Sequence, residues 1–72
     1  MSARVHWETL RPGTKLRMTA LGRQRLIMPW EHRAKVRVTT GRFVKYDDGT
    51  VHVLRDQHRT SNGYHPDFWE PR

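Results

Sequence analysis

The chain contains no cysteine and no long apolar run. Without cysteine, neither a disulfide framework nor a thiolate zinc site can brace a small fold. No apolar stretch approaches the length of a secretory signal or the roughly 20 residues of a membrane-spanning helix. We therefore expect a protein of the cytoplasm, with no membrane partner, that is held together by packing or by self-association.

Length and aromatic content predict one folded domain over residues 1–72. A chain of 72 residues has room for a single small core, which we place at about residues 10–71. Aromatic residues make up 10% of the chain and supply large buried areas that disordered sequences lack. Residues 1–9 are expected to be flexible or to add an edge strand.

Positive charge is in excess and is unevenly distributed. The formal net charge is +7, and before Asp47 there are 11 Lys and Arg residues against two Glu. Such an asymmetry indicates an anionic partner, either nucleic acid or an acidic protein surface. The alternative is that the arginines only keep a small domain soluble.

The segment from Gly41 to Asp56 has the pattern of a β-hairpin. Asp48-Gly49 is favoured in a two-residue type I′ turn, because both central residues of that turn need positive φ. Val51 and Val53 alternate with polar residues after the turn, yet apolar residues occur on both faces of the hairpin. Strands that bury parts of both faces are typical of small, strongly bent barrels.

Two further strands precede the hairpin turn. After a turn at Pro12-Gly13, Leu16, Met18 and Ala20 alternate with polar residues as in a half-buried strand. The run 34–46 is predicted as one long strand that is kinked at Thr40-Gly41. Between these strands, residues 21–33 form a long loop with room for a short helical turn over 23–28.

The C-terminal part predicts a fourth strand, a helical turn over 66–69 and a last short strand before Pro71. The chain reverses between the third and fourth strands either at Asp56-Gln57-His58 or at Asn62-Gly63, and the sequence leaves both open.

Three stretches resemble the SH3-like barrels, specifically the small KOW and Tudor-like kind. They are "PGTKLRM" (12–18) as first strand, "TGRFV" (40–44) as second strand and the closing "YHPDFWEP" (64–71). The closing segment also resembles short phage and prophage proteins of unknown role. The resemblance implies an all-β, SH3-like barrel of about five strands with a long first loop and a one-turn helix near the C-terminus. It also implies an accessory protein that binds a partner, in the host cell if a phage encodes it.

Enzymatic function has little support in the sequence. The two serines, Ser2 and Ser61, are not in a nucleophile-elbow context, and the hairpin turn accounts for Asp47 and Asp48. The type II dihydrofolate reductases are SH3-like enzymes, but their Val-Gln-Ile-Tyr stretch is absent where Ser61 to Tyr64 stands here. A reductase is therefore a distant alternative, and we predict no cofactor.

Histidines and aromatic residues offer two further alternatives. The five histidines lack the close spacings of familiar metal sites, so we predict no metal, although strands could gather His52, His58 and His65 beside Asp67. A Tudor-like cage for a cationic ligand would need several rings around one pocket. Packing is the better expectation for most rings of so small and basic a protein, and Trp7 is expected to cover an edge of the barrel.

Basic residues that alternate with apolar ones are the strongest functional signal. They predict a cationic face that contacts nucleic-acid phosphates, DNA or RNA, with Trp30 free to stack on a base. Arg42 and Lys45 share that face only if a kink interrupts the second strand. The alternative partner is an acidic host protein. The predicted contact residues are Lys15, Arg17, Arg23, Arg25, Trp30, Arg33, Lys35, Arg37, Arg42 and Lys45.

Overall fold

A computed structural model describes residues 5–27 and 38–72. The protein is mostly β, with one five-stranded antiparallel sheet and one short helix. The strands are β1 (Lys15–Met18), β2 (Thr40–Asp47), β3 (Thr50–Arg55), β4 (Asn62–Tyr64) and β5 (Trp69–Pro71). The helix α1 spans Ala20–Leu26, and short 3₁₀ turns cover Trp7–Thr9 and Pro66–Phe68.

The strand order is β4-β3-β2-β1-β5, so β4 and β5 form the two edges. Five strands and a C-terminal helical turn were predicted, and both are confirmed. The predicted closure into a barrel is not observed, since no backbone ladder joins β4 to β5 within the described residues. Each edge strand has only three residues, which leaves little backbone for such a ladder. The edges nevertheless approach through their side chains, with the rings of Tyr64 and Trp69 5.5 Å apart.

The predicted Asp-Gly hairpin is confirmed. Asp48 and Gly49 both have positive φ, at 49° and 77°, as a two-residue type I′ turn requires. Asp47 and Thr50 are the last paired residues on either side of the turn. The turn therefore fixes how β2 and β3 pair near the tip of the hairpin.

A β-bulge interrupts β2 between Phe43 and Lys45, and the predicted kink at Thr40-Gly41 is wrong. Phe43 pairs with Val53 and Lys45 with the preceding residue of β3, so Val44 is the extra residue. Gly41 instead continues in regular register and lies tightly against β3. The bulge shifts the alternation of β2 by one residue.

Helix α1 covers residues 21–26 of the predicted loop over 21–33, and residues 28–33 of that loop lie outside the described part of the chain. The Thr19 hydroxyl accepts a hydrogen bond from the Gly22 amide at 3.1 Å and donates one to the Asp67 carbonyl at 2.6 Å. Thr19 therefore caps a helix that begins at Ala20, earlier than the predicted turn over 23–28. Strand β1 ends at Met18 for the same reason, and Ala20 is not a strand residue.

The chain turns between β3 and β4 at Asp56-Gln57-His58, the first of the two positions that the sequence left open. The His58 amide donates to the Arg55 carbonyl at 3.0 Å, and Gln57 has a positive φ of 69°. Asn62 and Gly63 lie inside β4, where they pair with β3. The loop after this turn delivers the chain to the edge strand.

The core lies on one face of the sheet and begins earlier than predicted. Trp7 is only 7% exposed, and its ring centroid lies 5.7 Å from that of Phe43. Residues 7–9 form a 3₁₀ turn that delivers Trp7 to the core, so the predicted edge strand is wrong there. The core cluster consists of Trp7, Leu16, Met18, Phe43, Val51, Val53 and Trp69.

Gly22 is predicted to be the least replaceable residue of α1. A Cβ added there would lie 2.2 Å from the Phe68 carbonyl oxygen, so helix and 3₁₀ turn must separate. We expect Gly22→Ala to lower the free energy of unfolding by about 1–3 kcal/mol. In an exposed helix the same change would be stabilising by up to about 1 kcal/mol, so the sign of the effect is diagnostic. Urea denaturation measures it, with Gln24→Ala on the exposed side of α1 as the matched control; a stabilised Gly22→Ala protein would contradict the contact.

Candidate functional site

The sheet has an outer face that is opposite the core. Alternation along β1 buries Leu16 and Met18 and leaves Lys15 and Arg17 exposed. Strand pairing extends the same face across β2, β3 and β5. The outer-face residues that carry charge or polarity are Lys15, Arg17, Thr40, Arg42, Lys45, Asp47, Thr50, His52, Glu70 and, just after β5, Arg72.

Three cations form a group on this face, which we call the basic patch: Lys15, Arg42 and Lys45. Lys15 and Arg42 are direct cross-strand partners. The β2 bulge turns Lys45 to the same side as Arg42, and all three side chains are exposed. Within residues 5–27 and 38–72, no carboxylate forms an ion pair with any of the three.

The opposition of Lys15 and Arg42 is electrostatically unfavourable. Like charges directly opposite each other in an antiparallel pair repel and reduce stability. Arrangements that lower folding stability in this way are expected where function requires them. The pair therefore lowers the stability of the free fold.

Two ion pairs border the basic patch and neutralise other cations of the sheet. Arg17 Nε lies 3.0 Å from Glu70 Oε1, and the two residues are register partners on β1 and β5. The Arg72 guanidinium lies 3.9 Å from Asp56, which also accepts a hydrogen bond from the Thr40 hydroxyl at 2.5 Å. We call Glu70 and Asp56 the acidic border. Of the predicted site residues on the sheet, Arg17 is the one already partnered.

Arg23 and Arg25 are exposed, but they lie on α1 and not on the sheet. The helix packs mainly against the Pro66–Phe68 turn. The described residues of the predicted site therefore lie in two separate places, the sheet and α1. The remaining predicted contacts, Trp30, Arg33, Lys35 and Arg37, lie outside the described residues, as does the predicted strand before residue 38.

The predicted contacts omit the histidine and one of the arginines of the outer face. His52 lies opposite Lys45, and Arg72 follows β5 with its amide donating to the Lys15 carbonyl at 3.1 Å. Alternation within the hairpin could have placed His52 on this face. The position of Arg72 depends on the pairing of β1 with β5, which no local sequence pattern encodes.

The histidines do not form a metal site in the described part of the chain, where no group of three His, Asp or Glu side chains comes together. His65 has a structural contact instead, because its Nδ1 accepts a hydrogen bond from the Asp67 amide at 3.1 Å. This bond caps the Pro66–Phe68 turn. His52, His58, His65 and Asp67 are therefore not gathered as the metal alternative required.

The described aromatic rings belong to the core side of the sheet. Trp7, Phe43 and Trp69 are buried, and Tyr46, Tyr64 and Phe68 are half-buried against the same cluster. Packing, the expected use of these rings, is confirmed for this set. These rings pack in or against the core and do not surround an open pocket as a cation cage would.

Comparison of the chain with models of protein families, with curated proteins and with solved structures finds no match. Among the described residues, no helix has the length and apolar character needed to cross a membrane. Function must therefore be argued from the geometry of the outer face.

Replacing Lys15 with Glu is expected to stabilise the fold. The change converts a repulsive cross-strand pair with Arg42 into an attractive one, which is worth about 0.2–1 kcal/mol. Urea denaturation at low salt measures the gain, which should shrink as salt rises. Lys45→Glu is the matched control, since His52 and not Lys or Arg stands opposite it. Equal effects of the two changes would show that net charge, and not the pair, is responsible.

Proposed function

We propose that this protein is a non-catalytic nucleic-acid-binding module that contacts phosphates through its basic patch. The observation that carries the proposal is the cross-strand opposition of Lys15 and Arg42, extended along β2 by Lys45. Phosphate oxygens between these side chains would replace repulsion with charge-assisted hydrogen bonds. Release of counterions from the nucleic acid adds a favourable, salt-dependent contribution.

The distribution of charge supports an extended polyanion as the partner. The chain carries a net charge of +7, and within the described residues Arg17 and Arg72 form ion pairs whereas Lys15, Arg42 and Lys45 form none. Phosphate contacts carry no direct sequence information, so we expect weak sequence selectivity. Arg23 and Arg25 on α1, with Trp30, Arg33, Lys35 and Arg37, stay predicted as additional contacts.

We further propose that the fold is an SH3-like barrel. Supporting features are the continuous order from β4 to β5 and the 3₁₀ turn that joins these two edge strands. The contact of Tyr64 with Trp69 supports a sheet that curves until its edges approach. The bulge in β2 supplies local twist for such curvature.

An acidic host protein is the alternative partner for the same surface. It would contact the basic patch through carboxylates in place of phosphates. No observation on the described residues favours it over nucleic acid. It becomes the leading proposal if nucleic acid fails to bind at physiological salt.

Neutralising the basic patch should remove most binding. We expect Lys15→Gln, Arg42→Gln and Lys45→Gln to lower the affinity for nucleic acid each by severalfold. The slope of log K against log salt should become shallower by about 0.9 for every duplex phosphate that a variant no longer neutralises. Fluorescence anisotropy of a labelled oligonucleotide, titrated at several salt concentrations, measures both quantities.

Arg59→Gln is the matched control for these substitutions, because Arg59 is exposed in the loop between β3 and β4 and carries the same charge. The control should retain nearly the full affinity. If Arg59→Gln weakens binding as much as Arg42→Gln does, the protein responds only to its net charge and the basic patch is not the site.

Removing a border carboxylate should strengthen binding. Glu70→Gln frees the guanidinium of Arg17 from its partner at 3.0 Å and makes it available to a phosphate. We expect higher affinity and a salt slope that is steeper by about 0.9. The ion pair is solvent-exposed, with side-chain exposures of 56% and 33%, so its removal should change stability by less than about 1 kcal/mol. Unchanged affinity in the same anisotropy titration would place Arg17 outside the binding surface.

A further inference from the structure

The described outer face offers cations but no aromatic platform. All six Phe, Tyr and Trp residues in the described ranges lie in or against the core, on the opposite side of the sheet. The neighbours of the basic patch on the outer face are Thr40, Asp47, His52, Leu54 and the border residues. A nucleobase laid on this face would meet no exposed Phe, Tyr or Trp ring among these residues.

This absence bears on the class of nucleic acid. Proteins that bind single strands without sequence preference combine a positive groove with aromatic side chains on which successive bases stack. Sheet surfaces that read single-stranded RNA likewise present aromatic residues to the bases. The basic patch supplies only the electrostatic half of that arrangement.

The dimensions of the patch suit a dense row of phosphates. Neighbouring strands lie about 4.8 Å apart, and the partners of Arg42 and Lys45 on β3 are two residues apart, which corresponds to about 7 Å. Lys15, Arg42 and Lys45 therefore occupy a compact area on two neighbouring strands, β1 and β2. Duplex DNA carries one charge per roughly 1.7 Å of helix axis, so several phosphates face an area of this size.

We infer that the basic patch binds the phosphate backbone of a double-stranded nucleic acid in preference to a single strand. The inference rests on the proposed nucleic-acid-binding function and names the substrate class of the same site. The observation that supports it is a cluster of three cations on the outer face that form no ion pair among the described residues. The described aromatic residues lie on the opposite face, in or against the core. Duplex DNA and duplex RNA share this chemistry and are separated by experiment.

The test compares four labelled ligands of about 20 base pairs or nucleotides in fluorescence anisotropy, across roughly 0.05–0.15 M salt. The ligands are mixed-sequence duplex DNA, the corresponding duplex RNA, oligo-dT and oligo-rU. We expect at least one duplex to bind about tenfold tighter than both single strands at the same salt. A contact with three phosphates predicts a duplex slope of about −2.7 on logarithmic axes.

A second measurement examines Trp30, the residue that the sequence offers for base stacking. Stacked bases of a duplex are less available to an aromatic ring than those of a single strand, so Trp30→Ala should weaken the binding of oligo-dT and oligo-rU more than that of the duplexes. Arg42→Gln should reduce duplex affinity severalfold, and urea denaturation of both variants establishes that they are folded. A larger loss of affinity for the duplexes than for the single strands in folded Trp30→Ala would overturn the inference.

The outcomes separate the inference from the proposed function. Single strands that bind as tightly as the duplexes, or more tightly, would overturn the duplex preference and leave nucleic-acid binding in place. Absence of binding to all four ligands at about 0.15 M salt would overturn both. A duplex preference that Arg42→Gln abolishes and Arg59→Gln preserves would support both.

Discussion

The β-bulge between Phe43 and Lys45 is the constraint on which both faces of this sheet depend. Side chains alternate strictly along a strand, so without the extra residue Arg42 and Lys45 would point to opposite sides. One of them would then enter the core, where an unpaired charge is strongly unfavourable. With Val44 as the extra residue, Phe43 packs against Val53 inside, and both cations face solvent. A single irregularity therefore creates a continuous core and a continuous basic patch from one strand.

Contacts between α1 and the C-terminal 3₁₀ turn hold the N-terminal and C-terminal parts of the chain together. Thr19 both caps α1 and bonds to the Pro66–Phe68 turn, while Gly22 lets helix and turn approach. These contacts bring β5 beside β1 and place Glu70 against Arg17. The pairing of β5 with β1, which completes the core, thus also places Glu70 where it neutralises Arg17 and leaves Lys15 without a carboxylate partner among the described residues. The residues that hold β5 beside β1 therefore overlap with those that set the charge of the outer face.

The sequence predicted those features that are encoded locally. Asp48-Gly49 specified a turn through its backbone conformations, and alternation identified Leu16 and Met18 as buried. It failed where contacts between distant residues decide the structure. Helix α1 begins at Ala20, after Thr19 that is held by the C-terminal turn, and the irregularity of β2 lies at Val44, while Gly41 packs tightly against β3. The Arg17–Glu70 pair joins residues far apart in the chain and has no local signature. Lys15 was named from charge and alternation, whereas Arg42 and Lys45 were expected to share its face only if a kink interrupted the strand. The bulge at Val44 supplies that interruption, and the three residues lie on one face.

The most direct test of the central claim, that the basic patch is the binding surface, is residue-by-residue mapping by NMR. Backbone amide shifts of ¹⁵N-labelled protein would be followed as an unlabelled duplex of about 20 base pairs is added at roughly 0.15 M salt. If the basic patch binds the duplex, the largest changes occur at Lys15, Arg42, Lys45 and the adjacent His52, with small changes in the loop over 57–61. Large changes in that loop, with the patch unperturbed, would show that the basic patch is not the binding surface.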